Sequence, residues 1–269
     1  MRLHQTDKPH GTTQLGPRTA KGKFMNEVLG NYELYLMIIP VLAFYIVFAY
    51  MPMYGVLMAF QDYKPMLGVA GSPWVGLKHF TSFFSSVNFG RLMKNTVVIS
   101  LTSLIFGFPA PIILALMINE VRTRWFARVV QTITYIPHFI SMVVVCALIR
   151  EFTSDTGVFN YLLRYLGYGG QTMLSQPGLF VPIYVISGIW QEIGWGSIIY
   201  LAALSSVDKQ LYEAADIDGA GKWSQLFNIT LPGILPTIII LFIMRMGTLL
   251  NVGYEKVMLL YNPGIYDTA

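Results

Sequence analysis

Five long apolar stretches dominate this sequence, at roughly residues 35–60, 96–118, 132–148, 179–204 and 231–252. The hydrocarbon core of a bilayer takes about 20 consecutive apolar residues in a helix. No water is there to satisfy a backbone that is not already hydrogen-bonded to itself. Composition agrees: 54% of the residues are hydrophobic and 12% are charged, about half the charged share usual for a soluble domain. The expectation is an all-α, polytopic membrane protein with five spans, crossing a lipid bilayer.

Prolines punctuate these spans. Pro40 stands near the start of the first and is expected in its first helical turn; Pro52 and Gly55 interrupt it further on. Pro109 and Pro111 fall in the middle of the second, and Pro137 lies early in the third. Each frees a backbone carbonyl that a neighbouring helix, a side chain or water must satisfy.

Before the spans, residues 1–31 read as a disordered basic tail, in which Arg2, Lys8, Arg18, Lys21 and Lys23 are opposed only by Asp7 and Glu27. The apolar segment after it is too long for the core of a cleavable signal peptide. With the tail inside, the Arg122, Arg124 and Arg128 loop (residues 119–130) and the 205–228 segment are inside too. Ten Lys/Arg then lie on the cytoplasmic side and six outside, the sense of the positive-inside rule. The N-terminus is therefore expected in the cytoplasm and residues 32–269 form the transmembrane domain.

Some classes are set aside early. Cys146 is the sole cysteine, so an intrachain disulfide is impossible, and no Cys/His cluster has metal-ligand spacing. The net charge of +4 is scattered, unlike a nucleic-acid-binding face. No Gly-rich Lys/Ser phosphate loop occurs. An intramembrane enzyme would place a carboxylate pair or a nucleophile–base pair on facing spans; only Glu192 and Arg245 are charged deep in spans. The chain is read as a non-enzyme, with no catalytic residues, metal or cofactor of its own.

The segment between the fourth and fifth spans carries the sharpest pattern. Asp208 suits the N-cap of a short helix reaching Asp218, and Gly219 and Gly221 are placed to end it. Ala214 and Ala215 thin the helix, and Glu213, Asp216 and Asp218 offer it anionic partners. A second short helix over 222–227 would lead to Pro232, which suits the first turn of the next span. The result is a helix–turn–helix finger, although an ordinary amphipathic interfacial loop reads the same way.

Glu213-Ala-Ala215, Gly219 after three further residues, and Ile229-x-Leu231-Pro232 after nine more resemble the EAA motif of ABC importer permeases. The extended Leu211-Tyr-Glu-Ala-Ala-x-x-Asp-Gly-Ala220 is similar to the carbohydrate branch of that family. Residues 190–203, 134–141 and 259–263 resemble permeases for oligosaccharides and plant-polysaccharide-derived sugars. The resemblance runs from Tyr32 onward and implies the type I ABC importer fold, with six helices per subunit, in the bacterial cytoplasmic membrane. The sequence shows five spans, so the sixth is expected either to lie beyond this stretch or to be absent.

The same resemblance implies a second homologous permease, two ATPase subunits that bind ATP, and an extracellular solute-binding protein delivering a sugar. Residues 205–232 would form the coupling loop, with Glu213, Ala214, Ala215 and Gly219 at the ATPase contact and Asp218 as an addition. Closure of the ATPase dimer would pull the paired fingers and switch the pathway. A permease for a non-sugar solute and a membrane anchor for a cytoplasmic complex are the alternatives.

Within the fourth span Glu192 stands between Trp190 and Trp195. A carboxylate at that depth costs roughly 2.5–3.5 kcal/mol on insertion scales unless water or a partner meets it. On a sugar path it accepts hydroxyl hydrogen bonds while an indole stacks on a pyranose face. Otherwise it forms a structural hydrogen bond across the permease pair. Asn251 and Tyr254 are further pathway candidates. Arg245 suits pairing with an acid or a headgroup, and His138 a helix-end hydrogen bond.

Overall fold

The computed structural model describes residues 30–167, 172–265 and 268; the expected basic tail falls almost entirely outside them. Among the described residues nearly everything is helical, and β pairing is confined to an isolated bridge between Gln61 and Trp74. The chain divides into two compact units, residues 1–86 and 87–269.

The first unit is one long helix and a folded return. Helix α1 (Tyr32–Tyr45) continues through a π-type turn (Ile46–Tyr50) into a 3-10 segment (Met51–Phe60). Pro40 lies well inside α1 rather than in its first turn. The change of helical geometry precedes Pro52, whose missing N–H and fixed φ disfavour a regular α ladder. Every residue from Tyr32 to Tyr50 is exposed in the chain, and the run Tyr32–Phe60 is long and apolar enough to span a bilayer. After it, Asp62 N donates to Pro73 O and Val75 N to Phe60 O, both at 2.9 Å. Phe60 sits between Trp74 and Phe80. Helices α2 (Gly68–Gly71) and α3 (Lys78–Phe84) complete this return.

The second unit is a helical bundle. It comprises α4 (Val87–Gly107), α5 (Pro109–Glu120), α6 (Arg124–Tyr135), α7 (Met142–Thr153), α8 (Val158–Tyr165), α9 (Pro177–Ser205), α10 (Lys209–Ile217), α11 (Lys222–Gln225), α12 (Leu231–Gly247) and α13 (Tyr254–Leu260). Two runs here are long and apolar enough to cross a membrane: Val87–Glu120, which divides at Phe108 before Pro109, and Lys222–Gly247. The arginine-rich loop shrinks to residues 121–123, because Arg124 and Arg128 belong to α6.

The expected third span is broken rather than straight: Arg124–Phe139 and Met142–Tyr165 meet at 102°. Pro137 initiates a 3-10 turn, and Ile140 and Ser141 follow in extended conformation. Gln191 Nε2 donates to the Ile140 carbonyl at 3.3 Å, satisfying an acceptor that the break frees.

Helix α9 is the axis of the bundle. Its 29 residues extend about 43 Å, enough to cross a bilayer, although Gln191 and Glu192 lower its apolar density. It packs against α4, α5, α6 and α12. Phe180, Tyr184, Gln191, Gly194, Ser197, Tyr200 and Leu204 are buried at three- and four-residue spacing, the stripe of a helix face turned to a core. Two apolar clusters grip its ends. Phe180, Tyr184 and Val185 join Ile99, Cys146, Leu260 and Ile265 at one end; Tyr200 and Leu204 join Ala115 and Ile234 at the other. The finger follows the second end, and α13, beyond the last span, packs at the first.

Candidate functional site

Between the two clusters the bundle leaves a cavity of about 520 Å³, bounded by α4, α5, α9, α12 and the chain from Thr248 to Lys256. Much of its wall is apolar, with Ile99, Pro111, Ile189 and Leu241 among the lining residues. Ser100, Ser103, Gln191, Glu192, Arg245, Asn251 and Lys256 supply the polar groups. A mostly apolar wall with a few convergent polar groups is the usual character of a ligand site.

Of the pathway residues expected from sequence, Glu192, Trp195 and Asn251 line this cavity, whereas Trp190 and Tyr254 do not. Tyr254 begins α13 and is 78% exposed. Glu192 meets a partner within its own chain: His138 Nδ1 donates to Glu192 Oε2 at 2.9 Å. The His138 ring lies flat on the Trp195 indole, with centroids 4.4 Å apart and planes within 1°. Phe139 meets the same indole edge-on. One face of Trp195, which lines the cavity, is thus covered by His138.

Gly194 explains how α9 approaches the broken span. A Cβ there would stand 2.0 Å from the Thr134 carbonyl oxygen, so only glycine lets the helix axis come so near.

Three wall residues were missed in the sequence. Lys256 is 5% exposed; its Nζ donates to Tyr184 O at 2.9 Å and lies 4.6 Å from the Tyr184 ring centroid. Ser100 Oγ is buried in the wall with no hydrogen-bond partner, a deficit of about 1–3 kcal/mol that a ligand hydroxyl or water relieves. Gln191 shares the Glu192 wall. A charged residue on a short helix after a span carries no periodic signature, and nothing in a lone serine marks it as unsatisfied.

The finger is built as its residues demand. Asp208 Oδ1 accepts from Gln210 N at 2.9 Å, capping α10. The helix ends at Asp218; Gly219 follows at φ +76°. Ala220 N bonds to Ala215 O and Gly219 N to Asp216 O, the paired bonds of a Schellman end. Contrary to the expectation that Gly219 and Gly221 both end this helix, Gly221 precedes α11 in extended conformation.

Tyr212 Oη and Thr230 Oγ1 share a hydrogen bond of 2.9 Å, and Gln225 Nε2 donates to Asp216 Oδ1 at 2.5 Å. These bonds brace the two arms. Lys222 Nζ stands 3.9 Å from Glu120 Oε2 at the end of α5, an exposed pair worth under about 1 kcal/mol. Glu213, Ala214, Asp218 and Gly219 are exposed and Ala215 is half-buried. Ile217 is 87% exposed beside them, a large apolar side chain left uncovered on a polar loop.

A bundle of kinked apolar helices around a largely apolar cavity with a few convergent polar groups, and a braced finger leaving one end, suits a membrane transport subunit. Residues 107–267 match the family described as binding-protein-dependent transport system inner membrane component, and the chain belongs to it. It is accordingly a multi-pass protein of the cytoplasmic membrane.

Over 242 residues the chain is 47% identical to Protein LplB of Bacillus subtilis (strain 168), covering 87% of this chain and 76% of that one. It is 43% identical over 270 residues to the polygalacturonan/rhamnogalacturonan transport system permease protein YteP of the same organism (100% and 84%). Among solved structures, a bacterial ABC transporter involved in the import of the acidic polysaccharide alginate matches with a TM-score of 0.85 and 44% identity, over 91% of this chain and 83% of that one. The same transporter, with its pentasaccharide-bound periplasmic protein, matches at 0.84. The expected type I importer permease fold and the carbohydrate-branch resemblance agree with these relatives.

Proposed function

We propose that this chain is the permease subunit through which an oligosaccharide enters the cell, driven by ATP hydrolysis on a separate subunit. The observation that carries the reading is the finger, whose two arms are braced by Asp216–Gln225 and Tyr212–Thr230 while Glu213, Ala214 and Ile217 stay uncovered. A rigid loop presenting an apolar and acidic face is suited to docking in a groove of an ATPase. Glu213, Ala214, Ala215, Asp218 and Gly219 are that contact, and the N-terminus lies on the same, cytoplasmic side.

Movement of the finger passes along two routes. Thr230 leads directly into α12, and Lys222 reaches Glu120 at the end of α5. Both α5 and α12 wall the cavity along with α9. A pull on the finger therefore changes the walls around Glu192, Trp195 and Asn251, where sugar hydroxyls and a pyranose face are met. A homologous permease pairs with this chain, two ATPase subunits dock on the paired fingers, and a solute-binding protein delivers the sugar at the α13 end. The relatives' names support the sugar, and the cavity argues against a mere anchor.

The test is uptake of labelled oligosaccharides by the complete importer in proteoliposomes. Accumulation that needs both ATP inside and binding protein outside is expected. Accumulation of another solute class, with no saccharide moved, would overturn the reading.

A further inference from the structure

Three charged side chains line the cavity: Glu192, Arg245 and Lys256. The carboxylate is already engaged by His138. The two cations are not so matched. An ammonium has three donors, and one Lys256 donor goes to the Tyr184 carbonyl. Among the described residues no carboxylate lies within ion-pair distance of Lys256, although it is almost wholly buried. A buried charge without a counter-charge is costly and is ordinarily retained for a partner.

Arg245, in the last turn of α12, brings five further donors. Its side chain forms no hydrogen bond or ion pair with a described residue. Both cations line the same cavity, and Tyr184 links them: its carbonyl accepts from Lys256, and its phenol feels the Arg245 charge. Gly188 presents no side chain between α9 and the ammonium, whose Nζ lies 3.4 Å from where a Cβ would be. Ser100 Oγ is buried in the same wall without a hydrogen-bond partner. Trp195 stands in the same wall.

We propose that Lys256 and Arg245 form an anion-reading subsite in the cavity, so that the saccharide this permease carries bears carboxylates. This rests on the saccharide-import reading above and adds to it the chemical class of the sugar and the residues that select it. The Lys256 ammonium supplies a buried point charge and the Arg245 guanidinium a planar fork that matches a carboxylate. Ser100 and Asn251 take hydroxyls, and Trp195 takes a ring face.

The experiment measures binding of radiolabelled trigalacturonate to the assembled importer in nanodiscs, without the binding protein, so that the permease alone selects. Competitors are unlabelled trigalacturonate, its carboxyl-reduced neutral form and galactose 6-phosphate. Wild type is expected to favour the acidic trisaccharide over the neutral one by about ten-fold or more, the scale of one charge-assisted hydrogen bond. Arg245→Gln, at an exposed position, and Lys256→Met are each expected to erase most of that preference, read as the ratio of acidic to neutral affinity within each variant; Lys256→Arg restores it. Equal affinity for acidic and neutral sugars in wild type, or full preference retained in both variants, overturns the subsite. Stronger competition by the phosphate than by the uronate overturns the carboxylate assignment. Binding of no saccharide by a complex that still accumulates saccharide once binding protein is added overturns the subsite, whereas loss of that accumulation as well sinks the import reading.

Discussion

His138 and Glu192 are held at 2.9 Å, joining the 3-10 turn at the break of the third span to the middle of α9. Since the carboxylate can only accept, the bond fixes Nδ1 as the protonated ring nitrogen. It also aims one carboxylate oxygen at the imidazole and keeps that ring flat on Trp195. Glu192→Gln, which keeps an acceptor but removes the charge, and His138→Ala, which removes the plate behind the indole, are each expected to lower sugar uptake about five- to ten-fold. The pair is partly exposed, so thermal stability should move by no more than about 1 kcal/mol. Uptake at wild-type rates in both variants would deny Glu192 a place on the path.

Gly194 predicts the opposite balance. Gly194→Ala drives a methyl into the backbone of Thr134, which neither helix can yield cheaply. A loss of about 1–3 kcal/mol is expected from overpacking, read as a lower melting temperature of the purified protein. An unchanged melting temperature would mean that α6 and α9 are further apart than 2.0 Å to a Cβ allows.

Gln225 is buried between the arms of the finger. Gln225→Ala removes the donor to Asp216 and to the Ala220 carbonyl. Hydrogen exchange over residues 216–225 should accelerate, and uptake should fall about three- to ten-fold while ATP hydrolysis continues. Coupling that survives with a loosened finger would remove the bracing from the mechanism.

Lys256 makes binding depend on pH. Burial lowers its ammonium to about 8, with Cys146 and Glu192 opposing the shift; Tyr184 and Arg245 share its wall. The folded pKa lies below the unfolded one, so between pH 8 and the usual lysine value the unfolded chain holds the extra proton. Stability therefore rises with pH across that window, by up to about 3 kcal/mol, and the burial penalty is felt in full below it. Anion binding runs the other way, because the charge is present below pH 8 and lost above. Trigalacturonate affinity should fall between about pH 7 and 9 in wild type but stay level in Lys256→Arg, as expected for a guanidinium. A flat wild-type profile would contradict the ammonium's role.

Much of this was legible in the sequence. Apolar length marked the helices, and Asp208, Gly219 and Pro232 punctuated the finger where the structure places them. The bend at Ile140–Ser141 was not, because Pro137 is compatible with either a first turn or a break. The arrangement decides which it is, through Gln191 reaching across from α9. Glu192 stood out as a charge inside an apolar run, but its partner His138 lies 54 residues away, beyond any local pattern. Lys256 and Ser100 acquire meaning only from the walls that bury them.

The most direct test of the central claim is co-purification of the permease complex with its ATPase, comparing wild type with Glu213→Lys and Gly219→Val. The first reverses the charge on the exposed face of α10. The second places a β-branched residue at φ +76°, at a cost of about 1–2 kcal/mol to the helix end. With membrane insertion unchanged, each variant is expected to lose the ATPase about ten-fold or more, as when a central contact residue is removed. Equal retention of the ATPase by all three proteins would contradict the account.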